Sequence, residues 1–186
     1  MKKTVSALMI AVSAAAFAAN ANANNMEFKP YVGIDYNHVR DNVKHVRPYY
    51  NSASINVGSM YNKYFGTELF YQYSAEYRKL VDASGDGRLK SDFQAYGIDL
   101  MGYLPYCDVY NFIGTVGYGQ YRFDSKFGGA HGTLRDHGDG YRIGAGAMYD
   151  LNSNMSVRGL VRYIEFDKID GNDHAIEYSL GLRYSF

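Results

Sequence analysis

Beyond its N-terminal stretch the chain alternates apolar and polar positions with a period of two, the pattern of strands whose two faces meet different surroundings. Phe28, Val32, Ile34 and Tyr36 share one face, and Lys29, Gly33, Asp35 and Asn37 the other. Ile55, Val57 and Tyr61 oppose Ser54, Asn56 and Gly58; Leu69, Tyr71 and Tyr73 oppose Glu68, Gln72 and Ser74. Tyr96, Ile98, Leu100 and Leu104 stand against Ala95, Gly97 and Asp99. Tyr110, Phe112, Val116 and Tyr118 stand against Asn111, Thr115, Gly117 and Gly119. The sixth segment sets Tyr141, Ile143, Ala145, Ala147 and Tyr149 against Arg142, Gly144, Gly146 and Asp150. Val157, Val161 and Tyr163 then oppose Ser156, Arg158 and Arg162, and Tyr178, Leu180, Leu182, Tyr184 and Phe186 oppose Ser179, Gly181, Arg183 and Ser185. The pattern predicts eight strands of about ten residues, the length a tilted strand needs to cross a bilayer.

The connections sort into two kinds. Asn62–Phe65, Pro105–Asp108 and Leu151–Asn154 are short, whereas Val39–Ser52, Glu76–Asp92, Arg122–Asp139 and Glu165–Asp173 are longer and polar. Alternating short turns and long loops are what a membrane barrel of even strand number shows. The fold class predicted is all-β: an eight-stranded antiparallel up-and-down transmembrane barrel. Alternation alone leaves open which face is buried, since a soluble ligand-carrying barrel would turn the apolar face inward. Two features favour lipid outside. The small and charged face, rich in glycine, serine, arginine and aspartate, suits a narrow interior. The apolar face ends repeatedly in tyrosine (Tyr36, Tyr118, Tyr141, Tyr149, Tyr163, Tyr184), as an aromatic girdle requires.

Composition agrees. There are 20 tyrosines and 20 glycines, 3 prolines and no tryptophan in 186 residues. A mean hydropathy of −0.34 excludes a helical membrane protein, but a barrel shows lipid only every second residue. Lys2 and Lys3, the apolar run Val5–Ala19 and the small-x-small triplet Ala21-Asn22-Ala23 read as a cleaved signal peptide over residues 1–23, leaving a barrel domain over 24–186. Taking Lys2 and Lys3 from the 19 basic residues leaves 17 against 19 acidic ones, a net charge of −2 that argues against nucleic acid. Cys107 is the sole cysteine, so no intramolecular disulfide forms.

The terminal run Tyr178, Leu180, Leu182, Tyr184 and Phe186 resembles the C-terminal signature of outer-membrane barrels. With the leader and the loop asymmetry, the mature chain resembles the OmpA/OmpX-type eight-stranded family, barrel domain only, without the peptidoglycan-binding domain that full OmpA-type proteins append. The resemblance implies a bacterial outer-membrane location with long loops extracellular and both termini periplasmic. It implies recognition of the terminal signature by the barrel assembly machinery, contact with outer-membrane lipid and lipopolysaccharide, host surface molecules as partners, and a monomer.

Residues that bear on chemistry fall in three sets. Asp35, Glu68, Asp99, Arg142, Arg158, Arg162, Glu177 and Arg183 are expected inside, where both signs allow a paired polar network; Arg158 or Arg162 is expected to meet Glu68 or Asp99. His38, His45, His131, His137 and His174 fall at or beyond one rim without a metal-ligand spacing, so no metal and no cofactor is expected. Asp82-Ala83-Ser84-Gly85-Asp86-Gly87 imitates a calcium loop, but Phe93 stands where its glutamate belongs. Arg40, Lys44, His45, Arg47, Tyr49 and Tyr50 form a basic, aromatic segment suited to acidic surface molecules or to anchoring at the membrane interface. No serine–histidine–acid pairing is evident, and no catalysis is expected. The function expected is structural or loop-mediated adhesion; the alternatives are a narrow pore and a lipid A-modifying enzyme.

Overall fold

A computed structural model describes residues 28–43, 49–74, 77–80, 88–127, 133–167 and 172–186. Nine strands run in order: β1 (Lys29–Val43), β2 (Tyr49–Met60), β3 (Phe65–Ser74), β4 (Tyr77–Leu80), β5 (Arg88–Pro105), β6 (Tyr110–Phe127), β7 (Thr133–Asp150), β8 (Met155–Asp167) and β9 (Asn172–Ser185). Each pairs antiparallel with its sequence neighbour, except that β3 and β4 both pair with β5 and make two pieces of one stave. The last strand returns to the first, with Tyr31 opposite Ser185 and Val39 opposite Glu177. Eight staves therefore close, and no sheet edge is left in the wall.

Short turns of 61–64, 106–109 and 151–154 cluster at one rim with the start of β1 and the end of β9. Two of them have the same sequence cause. The Asn62 side-chain oxygen accepts from the Tyr64 and Phe65 amides at 2.8 Å each. Asn152 accepts from Asn154 at 2.9 Å and Met155 at 2.8 Å in the same way. An asparagine that caps its own turn is what a tight connection selects.

The faces are sorted as in a membrane barrel. Ile34, Ile55, Leu100, Leu104, Val116, Ile143 and Leu180 are exposed on the exterior, whereas Asp35, Asn56, Glu68, Gln72, Asp99, Arg142, Arg158 and Arg162 are buried inside. A soluble barrel would invert this arrangement. Exterior tyrosines ring the wall at two heights. Tyr110 and Tyr149 meet at 4.8 Å near the turn rim, and Tyr118 and Tyr141 at 5.4 Å near the far rim.

The structure corrects the long connections. β1 runs to Val43 and β2 begins at Tyr49; β5, β6 and β7 are each 18 residues, roughly twice a bilayer span. Most of Val39–Ser52, Glu76–Asp92, Arg122–Asp139 and Glu165–Asp173 is therefore strand. Backbone pairing continues through these stretches although their sequence no longer alternates cleanly between apolar and polar positions.

Candidate functional site

Each stave contributes inward residues two apart, and the interior fills in three layers. A central charged layer lies between two apolar ones. Arg158, on β8, reaches Asp35 of β1 through Nε at 3.0 Å and Nη2 at 2.7 Å. It also reaches Glu68 of β3 through Nη1 at 2.5 Å and Nη2 at 2.9 Å. Arg142, on β7, makes the same two-pronged contact with Asp99 of β5, Nε donating at 2.6 Å and Nη2 to the second oxygen. Arg162 donates to Glu177 at 3.0 Å and to Ser179 at 2.7 Å, with Asp99 3.8 Å away. Gln72 donates to the other oxygen of Glu177 at 2.7 Å. Planar guanidinium–carboxylate forks of this kind are the strong, directional form of an ion pair.

Two forks are built alike. Asp35 and Arg158 both stand opposite Gly181, one on each side of β9. Asp99 and Arg142 both stand opposite Gly117 on β6. A Cβ on Gly181 would meet the Asp35 carboxylate, and one on Gly117 the Asp99 carboxylate. The glycine between the partners is therefore the gap through which acid and base join across an intervening strand.

Glu68 and Asp99 are direct cross-strand neighbours. Two acids opposite one another are unfavourable alone, and here Arg158, Arg142 and Arg162 converge on the pair. Among the described residues four acids and four arginines are buried. Arg183 stands apart, near the turn rim. Its guanidinium lies 3.6 Å above the Tyr31 ring and donates to the Tyr103 hydroxyl at 3.0 Å. Among the described residues no carboxylate lies within ion-pair distance of it.

The apolar layers cap the charges. Val39, Phe70, Phe93, Ala95, Tyr121, Ile164 and Ala175 pack toward the far rim. Met101, Tyr103, Ile113, Met148 and Leu160, with Met60, pack toward the turn rim. Of these only Ala95 stands on the small, polar face of the alternation, yet parity marks others as interior too: Phe70 lies between Glu68 and Gln72, and Met101 two past Asp99.

The terminal residues Tyr178, Leu180, Leu182, Tyr184 and Phe186 all lie on the exterior of β9, and the Phe186 amide donates to Pro30 at 3.0 Å. Arg40 is exposed, its guanidinium 5.7 Å above the Tyr178 ring. Tyr49 and Tyr50 continue β2 opposite Arg40 and Val39, while Lys44, His45 and Arg47 lie outside the described residues. His38 bonds Asn51 at 2.8 Å and His174 stacks on Tyr163 at 5.5 Å. His137 is exposed; His45, His131 and the segment Asp82–Gly87 lie outside the described residues. Among the described residues no group of three His, Cys, Asp or Glu side chains is arranged to hold a metal. Cys107 is a free thiol on an exposed turn.

A family model described as outer membrane protein beta-barrel domain matches residues 4–186. No curated protein matches the sequence. Among solved structures, Neisserial surface protein A is 16% identical with a TM-score of 0.71, over 84% of this chain and 97% of that one. Ail, the attachment invasion locus protein of Yersinia pestis, in complex with the heparin analogue sucrose octasulfate, is 16% identical with a TM-score of 0.63, over 87% of this chain and all of that one. The N-terminal β-barrel domain of Pseudomonas aeruginosa OprF is 14% identical with a TM-score of 0.59, over 84% and 97%. At these identities the likeness is one of fold.

Proposed function

The chain belongs to the outer membrane protein beta-barrel domain family, and on that premise we propose that it is a non-catalytic surface barrel, sealed to solutes, whose interactions are made beyond the far rim. The observation that carries this reading is the filled interior. A forked ion-pair layer fills the barrel between two clusters of apolar side chains, and this filling supports a sealed interior. An eight-stranded barrel has just enough room for such side chains. Function then moves to the rim that carries the strand extensions and long connections, as is common where a rigid scaffold presents variable loops.

On this reading a leader over residues 1–23 directs export, both termini face the periplasm, and the terminal run Tyr178–Phe186 serves assembly. The basic, aromatic β1–β2 tip, with Arg40, Lys44, His45, Arg47, Tyr49 and Tyr50, engages anionic glycans of a host surface. The Ail structure, with a sulfated sugar bound to a barrel of this fold, supports that chemistry.

Two measurements test the proposal. The purified barrel should be electrically silent in planar bilayers; discrete conductance steps would overturn the sealed interior. Cells expressing Arg40→Gln, Lys44→Gln and Arg47→Gln together should adhere less to heparin-coated surfaces than parent cells, and equal adherence would remove the β1–β2 tip from the reading.

A further inference from the structure

One arrangement recurs in the barrel wall: a cross-strand row of an acid, a small residue and an arginine. Asp35–Gly181–Arg158 and Asp99–Gly117–Arg142 are the two forks. Asp150–Ser156–Arg183 is a further such row, nearer the turn rim. Here the residue between the partners has a side chain, and that side chain takes the acid. The Ser156 hydroxyl donates to Asp150 Oδ1 at 2.6 Å, and Asn111 donates to Oδ2 at 3.2 Å. Arg183 turns instead to aromatic neighbours. It is 3% exposed, and its guanidinium lies 3.6 Å above the Tyr31 ring. Its Nη1 donates to the Tyr103 hydroxyl at 3.0 Å and lies 3.7 Å from Met148 Sδ.

The groups around this guanidinium are donors with too few acceptors. The Arg183 Nε and the Tyr31 hydroxyl are both buried and bond to nothing. The Tyr103 oxygen accepts from Arg183, which leaves its own hydrogen to donate. The Tyr31 hydroxyl is held in place by Gly58, where a Cβ would meet it at 2.5 Å. Glu68 already accepts from Arg158 at both oxygens, and Asp150 is engaged at both of its own. A buried cation without a counter-charge is unfavourable, and so is each buried donor without an acceptor. One small acceptor reached by Arg183, Tyr31 and Tyr103 would answer all of them.

The chemistry of the site selects that acceptor. A water brings two hydrogens that need acceptors of their own, and beside this guanidinium stand the Met148 sulfur and two tyrosine rings. An anion accepts from every side and supplies the counter-charge as well. The interior of an eight-stranded barrel is only wide enough for side chains, which favours a monatomic ion over phosphate or sulfate. We propose that Arg183, Tyr31 and Tyr103 bind a halide ion, chloride in ordinary media, inside the turn rim of the barrel. Ser156 makes the site by holding Asp150 away from Arg183. The inference holds whichever rim faces the cell exterior, and it rests neither on a sealed interior nor on the β1–β2 tip.

The test compares urea titrations of the full barrel in lipid vesicles in sodium chloride and in sodium gluconate at equal ionic strength, gluconate being too large for the site. Chloride at ten times its dissociation constant should raise the folding constant of the parent about elevenfold. Tyr103→Phe keeps the ring and Arg183 but removes one donor to the ion, and should weaken chloride binding about tenfold. At the same concentration its gain then falls to about twofold. Arg183→Met should show no gain, and Tyr103→Phe keeps the test open if that variant does not fold. Crystals of the parent grown in sodium bromide should show anomalous scattering between Arg183, Tyr31 and Tyr103. A parent equally stable in both salts overturns the proposal. So does a folded Tyr103→Phe that keeps the full chloride gain, or density at the guanidinium without anomalous signal, which would assign the position to water.

Discussion

Arg158→Met is the sharpest perturbation of the interior. The methionine keeps most of the volume and removes four charge-assisted hydrogen bonds, two to Asp35 and two to Glu68. Both carboxylates stay buried, and Glu68 still faces Asp99 across the ladder. Breaking one buried ion pair costs about 3–5 kcal/mol, chiefly because the orphaned charge has no solvent. With two acids orphaned, the loss should lie near the top of that range, about 5 kcal/mol. That is roughly three to four decades in the folding equilibrium constant. The triple variant Arg158→Met, Asp35→Asn, Glu68→Gln removes the charges together and should recover to within about 2 kcal/mol of the parent, since a buried ion pair stabilises little relative to neutral side chains of similar size. Urea titration in lipid vesicles measures both. The chain has no tryptophan, so the folded fraction is read from the faster gel migration of unheated samples. A single variant within about 1 kcal/mol of the parent, or a triple variant no better than the single, would refute the reasoning that the cost is one of unpaired buried charge.

Two further outcomes follow from the same geometry. Gly181→Ala places a Cβ on the Asp35 carboxylate and 2.8 Å from the Ile34 carbonyl; pushing Asp35 off Arg158 should cost about 2–3 kcal/mol in the same titration, and a neutral substitution would show that the fork does not need the glycine gap. Leu180→Arg, at a lipid-facing position 63% exposed, should destabilise by about 2–4 kcal/mol, whereas Tyr184→Arg near the turn rim should cost about 0–1. Equal costs at the two heights would contradict the placement of the hydrocarbon layer.

Much of the site was legible because alternation is a parity rule. Once Ile34 and Leu180 are assigned to lipid, Asp35 and Glu177 must face inward, and the same step places Glu68, Asp99, Arg142, Arg158, Arg162 and Arg183. Which partner each arginine takes was not legible. Arg158 reaches Asp35 and Glu68 rather than Asp99, because register puts Gly181 between the first two and the narrow interior brings β3 within reach. The apolar layers were missed because Phe70, Met101 and Met148 look like lipid-facing residues to a hydropathy count, although their parity marks them as interior. The strand extensions were missed because their sequence carries no clean apolar–polar alternation to mark a strand.

The sequence alone determined the class of fold, the number of staves, the sorting of faces and the rim that carries the turns. Each of these follows from local rules: a period of two, an asparagine that caps its turn, and a chain end that must pair. Tertiary structure decided the register, the forks through Gly117 and Gly181, and the placement of Arg183 over Tyr31. Those depend on which residues of distant strands stand opposite one another. That is set only when the barrel closes, because closure fixes tilt and stagger together.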